Sequence, residues 1–174
     1  MCSVPSVVRV VDVWRLGPWP VFKTIPIADA IYRADTLPAM ARTYAHDSIV
    51  LGWEDRQKTR GRRVSGGGIE FGTSLPRGSV LRAGDCLVVD PARIVVEVVE
   101  RLEAAFVIEP RTPAEWGLFA YHIGNGHQPL MVTDRALICP DLPGVEMLLQ
   151  YHGIPYARAE MAFTPTTGCG HVAI

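Results

Sequence analysis

Between Ser48 and about Val107 the chain alternates β-branched apolar runs with turn residues, a turn recurring about every 8 to 12 residues. "SIVLGW" leads into "RQKTRGRRV", the triple glycine Gly66 to Gly68 breaks the chain, and "IEFGTSL" follows. The turn "LPRGS" at 75 to 79 and the strand-turn "VLRAGDCLVV" come next. A hairpin-like return through Asp90 and Pro91 then enters "RIVVEVVERL". Runs this short cannot bury a face alone, so they must pair and close on one another as a small sandwich or barrel.

From about Glu109 the period changes. "RTPAEWGLFAYHIG" begins with Thr112 as N-cap, Pro113 at the first helical position and Glu115 three residues on, the pattern of a capping box. Trp116, Phe119, Ala120 and Ile123 fall on one helical face, and Gly124, Asn125 and Gly126 stop the helix because they tolerate positive φ. "PLMVTDRALIC" supplies one or two strands. "DLPGVEMLLQYHG" is a second helix with Asp141 as its cap and Gly153 as terminator, and "IPYARAEMAF" is a last strand. With "AAFVIEP" as the first strand, the order is β-α-β-β-α-β, the ferredoxin-like arrangement. The fold class is therefore α+β: an all-β sandwich or barrel at 48–107, then a ferredoxin-like unit at 108–163. Residues 1–47 form an extension with no assigned role, containing a strand at "VVRVVDVW" and a short helix around "IADAIYRA". Residues 164–174 read as a loose tail, "TPTTGCGHVAI" beginning at its start.

With 174 residues, 48% of them hydrophobic and 20% charged, the chain can form one large or two small cores. A net charge of -1 gives no global attraction to nucleic acid or an anionic membrane. Charged or proline residues interrupt every apolar run before about 18 residues, so no membrane span is expected. The N-terminus lacks a cationic start and an unbroken apolar stretch, and Cys2, Cys86, Cys139 and Cys169 are scattered without a C-x-x-C pair. These features point to a reducing compartment, the cytoplasm.

Two of the five histidines flank the bend in "YHIGNGHQPL". Metal ligation, acid-base chemistry and simple packing are all open uses for them. His122 lies in the last helical turn, where an imidazole meets the negative end of the dipole and the terminal carbonyls. His127 lies beyond the bend, free to project. In "RQKTRGRR", Arg56, Lys58, Arg60 and Arg62 alternate, and on a strand period two puts all four on one face. Such a basic stripe raises RNA binding as an alternative, against which stand the absence of interleaved aromatics and the slightly negative total charge. No nucleophile elbow, phosphate loop or H-E-x-x-H helix is present, and Glu97 and Glu100 have no partner base, so an enzyme is not expected.

"DSIVLGWEDRQKTRGRRV", "LPRGSVLRAGDCLVV" and "AYHIGNGHQPL" resemble, in order and spacing, the UreE family of urease accessory proteins, which are nickel metallochaperones. The resemblance spans about residues 47 to 165 and implies the same two-unit architecture. It further implies a homodimer that binds nickel at its interface and works with other urease accessory proteins toward the urease apoprotein. By position it makes His127 the interface ligand and gives His122 a structural role. The family motif has an arginine where this chain has Gly126, which implies a more flexible bend and one cationic contact fewer. After "AF" the family reads proline, glutamate and a glycine-rich step, whereas this chain has "TPTTGCG" without a carboxylate. Many members carry a histidine-rich tail. Here His171 stands alone in the tail, which implies that several ions are not stored.

A transition-metal site needs roughly four to six donors, and no local cluster supplies them. Two-fold symmetry doubles any ligand near its axis, so two copies of His127 and two of His171 would make four imidazoles. Such donors suit nickel, zinc and copper alike. Cys169, two residues before His171, adds a thiol donor in the "CGH" end or is a free thiol on a loose tail. Cys139 and Cys86 read as small buried hydrophobes, and His46 and His152 as surface or helix-end residues.

Overall fold

Alternation along two central strands shows how the first half of the chain builds its core. In the computed structural model, which describes residues 25–166, Ile94, Val96 and Val98 of β7 (Ile94–Glu100) and Leu87 and Val89 of β6 (Cys86–Val89) face one core. The intervening Cys86 and Val95 face a smaller cluster under Leu37, Ala41 and Tyr44. Period two thus gives one sheet two buried faces. That sheet runs β2-β6-β7-β3, with β2 at Ile31–Tyr32 and β3 at Ala45–Leu51. Across the larger core lies a three-stranded sheet, β1-β5-β4, from Ile27–Ala28, Glu70–Ser74 and Arg60–Val64. Phe71, Leu75 and Leu81 fill the space between the sheets. This is the small sandwich expected.

The triple glycine makes its turn through close approach. The amide of Gly67 donates to both carboxylate oxygens of Asp47, at 3.1 and 3.0 Å, and a Cβ there would stand 2.8 Å from Oδ2. Gly68 then takes φ +84, which is costly for any residue with a side chain.

Two expectations in this half are corrected, and a third falls outside the described residues. "IADAIYRA" is no helix: it gives the strands β1 and β2 and then a 3-10 turn at Ala34–Thr36, because neighbouring strands offer pairing partners that outweigh a weak local helical preference. The strand expected at "VVRVVDVW" lies outside the described residues. "WEDRQ" forms a short helix, α1 (Trp53–Gln57), before β4 begins at Arg60. The four alternating cations therefore share no single face.

The second half has the order β8 (Glu103–Ile108), α2 (Pro113–Asn125), β9 (Met131–Val132), β10 (Leu137–Pro140), α3 (Val145–Tyr151), β11 (Ala157–Met161). Its sheet is antiparallel throughout in the order β11-β8-β10-β9, the ferredoxin-like arrangement expected. Phe106, Ile108, Leu137 and Cys139 on one sheet face pack against Phe119 and Ile123 of α2 and Val145 and Leu149 of α3. The chain passes between the two units at Arg101 and Leu102, so β8 lies wholly in the second sheet although a boundary at 107/108 divides it.

Capping follows the sequence in part. Thr112 Oγ1 accepts the Glu115 amide at 3.2 Å, but the Glu115 carboxylate takes the Arg111 amide, at 2.6 Å, rather than that of Thr112. Asp141 does not cap α3. Gly144 does, at φ +89, while Asp141 pairs with Arg158 at 2.6 Å.

Trp53 and Arg56 are two of the residues that join the units. Trp53 meets Phe163 edge-on at 5.4 Å between ring centroids, on the sheet face opposite the helices, where Ala105, Ala136 and Ile138 also lie. Arg56, 1% exposed, donates to the carbonyls of Leu81 and Phe163, to Thr164 Oγ1 at 2.9 Å and to Glu100 Oε1 at 2.8 Å. The sequence stripe placed this residue on a surface. It is instead the most deeply buried charge of the described residues.

Candidate metal centre

The buried face of α2 ends at Ile123, the helix itself at Asn125, and the bend that follows is held by its own backbone. Gly126 donates to the His122 carbonyl at 3.1 Å, His127 to Gly124 at 2.9 Å and Gln128 to Ile123 at 3.2 Å. The left-handed residue that reverses the chain is His127, at φ +55, whereas Gly126 has φ -78 and Gly124 is helical. The expected positive φ thus falls on the histidine and not on the glycines. Leu148 crowds position 126: a Cβ there would meet Leu148 Cδ1 at 2.2 Å, so any larger residue requires that side chain to move. The arginine that the family pattern carries at this position would have to displace the tip of that leucine.

The His127 side chain is exposed. The protein has a single-residue imidazole donor on a short, backbone-tethered loop. Among the described residues no group of three or more His, Cys, Asp or Glu side chains comes together. His127 therefore completes no site from its neighbours among the described residues. His171 and Cys169 lie outside the described residues.

His122 does not cap its helix with its ring. The ring stacks on that of His152, with centroids 3.8 Å apart and planes at 19°, a contact across thirty residues that no local pattern signals. Cys139 is fully buried and burial pushes its thiol up to about 12, which suits an inert core residue. Cys86 is likewise buried, with its thiol raised by desolvation. His46 is an exposed residue of β3.

Around the bend the outer faces of α2 and α3 expose large apolar side chains: Leu118 and Tyr121 on the first, Met147 and Tyr151 on the second, from 53% to 85% exposed. The basic segment offers no comparable surface. Arg56 and Arg63 are buried, Lys58 pairs with Asp55 at 2.8 Å and Arg62 with Glu70 at 2.7 Å. The RNA alternative loses the stripe on which it rested. Glu100 is the acceptor for Arg56, an ion pair and not a partner base. No helix among the described residues is long and apolar enough to cross a membrane.

Residues 29–100 match the family model "UreE urease accessory protein, N-terminal domain" and residues 86–173 match "UreE urease accessory protein, C-terminal domain". The chain is 34% identical over 142 residues to "Urease accessory protein UreE" of Methylibium petroleiphilum, covering 78% of this chain and 63% of that one. It is 32% identical over 133 residues to the protein of that name from Acinetobacter baylyi (76% and 82% covered). With the protein of that name from Rhodopseudomonas palustris the identity is 32% over 124 residues, 71% and 58% covered. The chain thus spans less than two thirds of some of these relatives and more than three quarters of others.

Proposed function

The chain belongs to the UreE family of urease accessory proteins, and we propose that it is a nickel carrier in which two copies hold one Ni(II) between their His127 side chains. Accessory proteins of this kind are not enzymes, and neither is this chain. The observation that carries the proposal is the position of His127: an exposed imidazole on a fixed bend that belongs, among the described residues, to no group of three or more metal-ligating side chains. A donor so placed becomes a site only when a second copy brings its equivalent, and two-fold symmetry does this without further sequence. The exposed Leu118, Tyr121, Met147 and Tyr151 supply apolar surface on the same helical layer for a second copy to cover.

In this reading the two imidazoles form the fixed half of the site, and His171, with Cys169 as a thiol alternative, forms a movable half. An ion held partly by fixed and partly by movable donors is released by loss of the movable ones, which suits hand-over more than storage. The cargo is passed, with other urease accessory proteins, to the urease apoprotein in the cytoplasm. Zinc and copper bind the same donors, copper most tightly by the usual affinity order.

Calorimetric titration of the full chain with nickel tests this. About one ion per two chains is expected, falling to no tight binding in His127→Ala, with the dimer intact by light scattering. One ion per chain in both proteins would refute the shared site. Truncation after Thr166 keeps the two hydrogen bonds of Thr166, from its amide to the Leu130 carbonyl at 2.7 Å and from the Val132 amide to its hydroxyl at 3.0 Å. It removes Cys169 and His171, and should weaken nickel binding by about a hundredfold without abolishing it.

A further inference from the structure

The last strand of the second unit, β11 (Ala157–Met161), lies at the edge of its sheet and pairs, among the described residues, with β8 alone. An edge left open in this way is a template for a further strand. The register tells which of its backbone groups face outward. The Asp141 amide donates to the Ala104 carbonyl at 2.9 Å, so Ala104 and, two residues on, Phe106 turn their N–H and C=O toward β10. Pro140, which has no N–H, falls opposite Ala105, where none is needed. The N–H and C=O of Ala105 therefore turn toward β11, to its partner Ala159. Those of Arg158 and Glu160 are left pointing away from the sheet, and both residues are exposed.

We propose that this edge pairs with the same edge of a second copy, antiparallel about Ala159, so that the two sheets become one. In an antiparallel ladder outward-facing residues stand opposite outward-facing residues. A register that sets Arg158 opposite its own equivalent, or Glu160 opposite its own, makes a like-charge pair that opposes association. The register between these sets Arg158 of each copy opposite Glu160 of the other, and each such pair exchanges both of its backbone hydrogen bonds. Ala159 then meets its equivalent in the close, non-hydrogen-bonded position, where facing Cα atoms stand about 4.5 Å apart and a small side chain fits. Ala157 falls opposite Met161 on the face turned away from the helices, which continues the apolar face of Ala105, Val107 and Ile138.

Arg158 already meets Asp141 and Glu146, so the charge pair selects the register while the backbone bonds hold the contact. The edge is separate from the exposed side chains of α2 and α3 on which the His127 reading draws, and it needs no metal. Two different two-fold contacts on one chain link dimers into tetramers or longer arrays.

The test is a cysteine cross-link in the full chain without metal, with Cys2 and Cys169 replaced by serine. In the proposed register Ala159→Cys faces its own equivalent, whereas Ala157→Cys faces Met161 and stands roughly 13 Å from its equivalent, at about 3.3 Å per residue. With oxidised glutathione, Ala159→Cys should form disulfide dimers at least tenfold faster than Ala157→Cys. Adding Glu160→Arg should slow that reaction at least tenfold, because arginines then meet across the edge. Glu160 is exposed, so this variant is expected to melt as its parent does. Equal rates for the two cysteines, a rate unmoved by Glu160→Arg, or no cross-link at about 0.5 mM chain would overturn the proposal. Failure of the His127 reading is seen elsewhere, in the nickel stoichiometry of the unsubstituted chain.

Discussion

Arg56→Leu should be among the most damaging substitutions in the protein, although it exchanges a charged residue for an apolar one in a buried place. Arg56 is 1% exposed and its guanidinium serves four acceptors from three parts of the chain: Leu81, Glu100, and the Phe163–Thr164 segment. Leucine fills much of the aliphatic volume but satisfies none of them. The Glu100 side chain, 19% exposed, would retain its charge with only partial access to water. Breaking a buried ion pair from one side costs about 3–5 kcal/mol. Summing the four contacts separately, at about 1–3 kcal/mol for each unsatisfied group, would give more. The smaller figure is preferred because residues 163–166 follow the last strand and can move to admit water, and because Arg56 Nε is itself buried without a partner, so the native arrangement is not fully satisfied.

Urea unfolding followed by circular dichroism measures the loss directly. A loss of that size corresponds to a fall in melting temperature of about 6–20 °C for a chain of this length. The double variant Arg56→Leu/Glu100→Leu should regain about 1–2 kcal/mol over the single one, because it removes the stranded carboxylate. A single variant within about 1 kcal/mol of the parent would refute the reasoning, as would a double variant less stable than the single.

Three further outcomes are expected. His127→Gly should be more stable than His127→Ala by about 1 kcal/mol in thermal melts, because φ +55 suits glycine and strains alanine, while both lose tight nickel binding. Glu146 accepts hydrogen bonds from Tyr156 and from Arg158, each at 2.6 Å, and these, Tyr156 first, hold its carboxyl below the ordinary 4.5. Its contribution to stability is therefore complete above the unfolded value near 4.5 and is lost as pH falls through the lower folded value, so Glu146→Gln should flatten the acid limb of a stability-versus-pH curve and leave the neutral region's slope unchanged. Gly126→Ala should lower the melting temperature by a few degrees at most if Leu148 swings aside, and Gly126→Ala/Leu148→Ala should be less than additive, since the first clash is with that side chain.

What the sequence made legible follows from where the information is local. The capped start of α2, the turn at Gly66 to Gly68 and the β-branched runs of β6 and β7 are each specified within a few residues, and each formed where expected. The errors have a common cause. Alternating cations at Arg56, Lys58, Arg60 and Arg62 satisfy a strand period, but the apolar Trp53 four residues before Gln57 also satisfies a helical one. The decision is made by Phe163 and Thr164, more than a hundred residues away, which give Trp53 and Arg56 somewhere to go. "IADAIYRA" fails in the same way, its two short strands taken up by β5 and β6.

The site divides along the same line. His127 was legible as a side chain beyond a bend, because a helix stop is a local signal. That the histidine itself would carry the positive φ was not, since three tolerant residues, Gly124, Asn125 and Gly126, precede it and each offered a place for the reversal. His122 was read from its position on one helix, yet its ring is placed by a residue on another. A histidine's surroundings in this fold are thus set where α2 and α3 meet, at their carboxyl ends. That junction holds the pair His122 and His152, the exposed tyrosines beside them and the start of the bend to His127. A change at Leu148 or Gly126 should therefore be felt in metal binding before it is felt in the core, because the bend moves while Phe119, Ile123 and Leu149 remain packed.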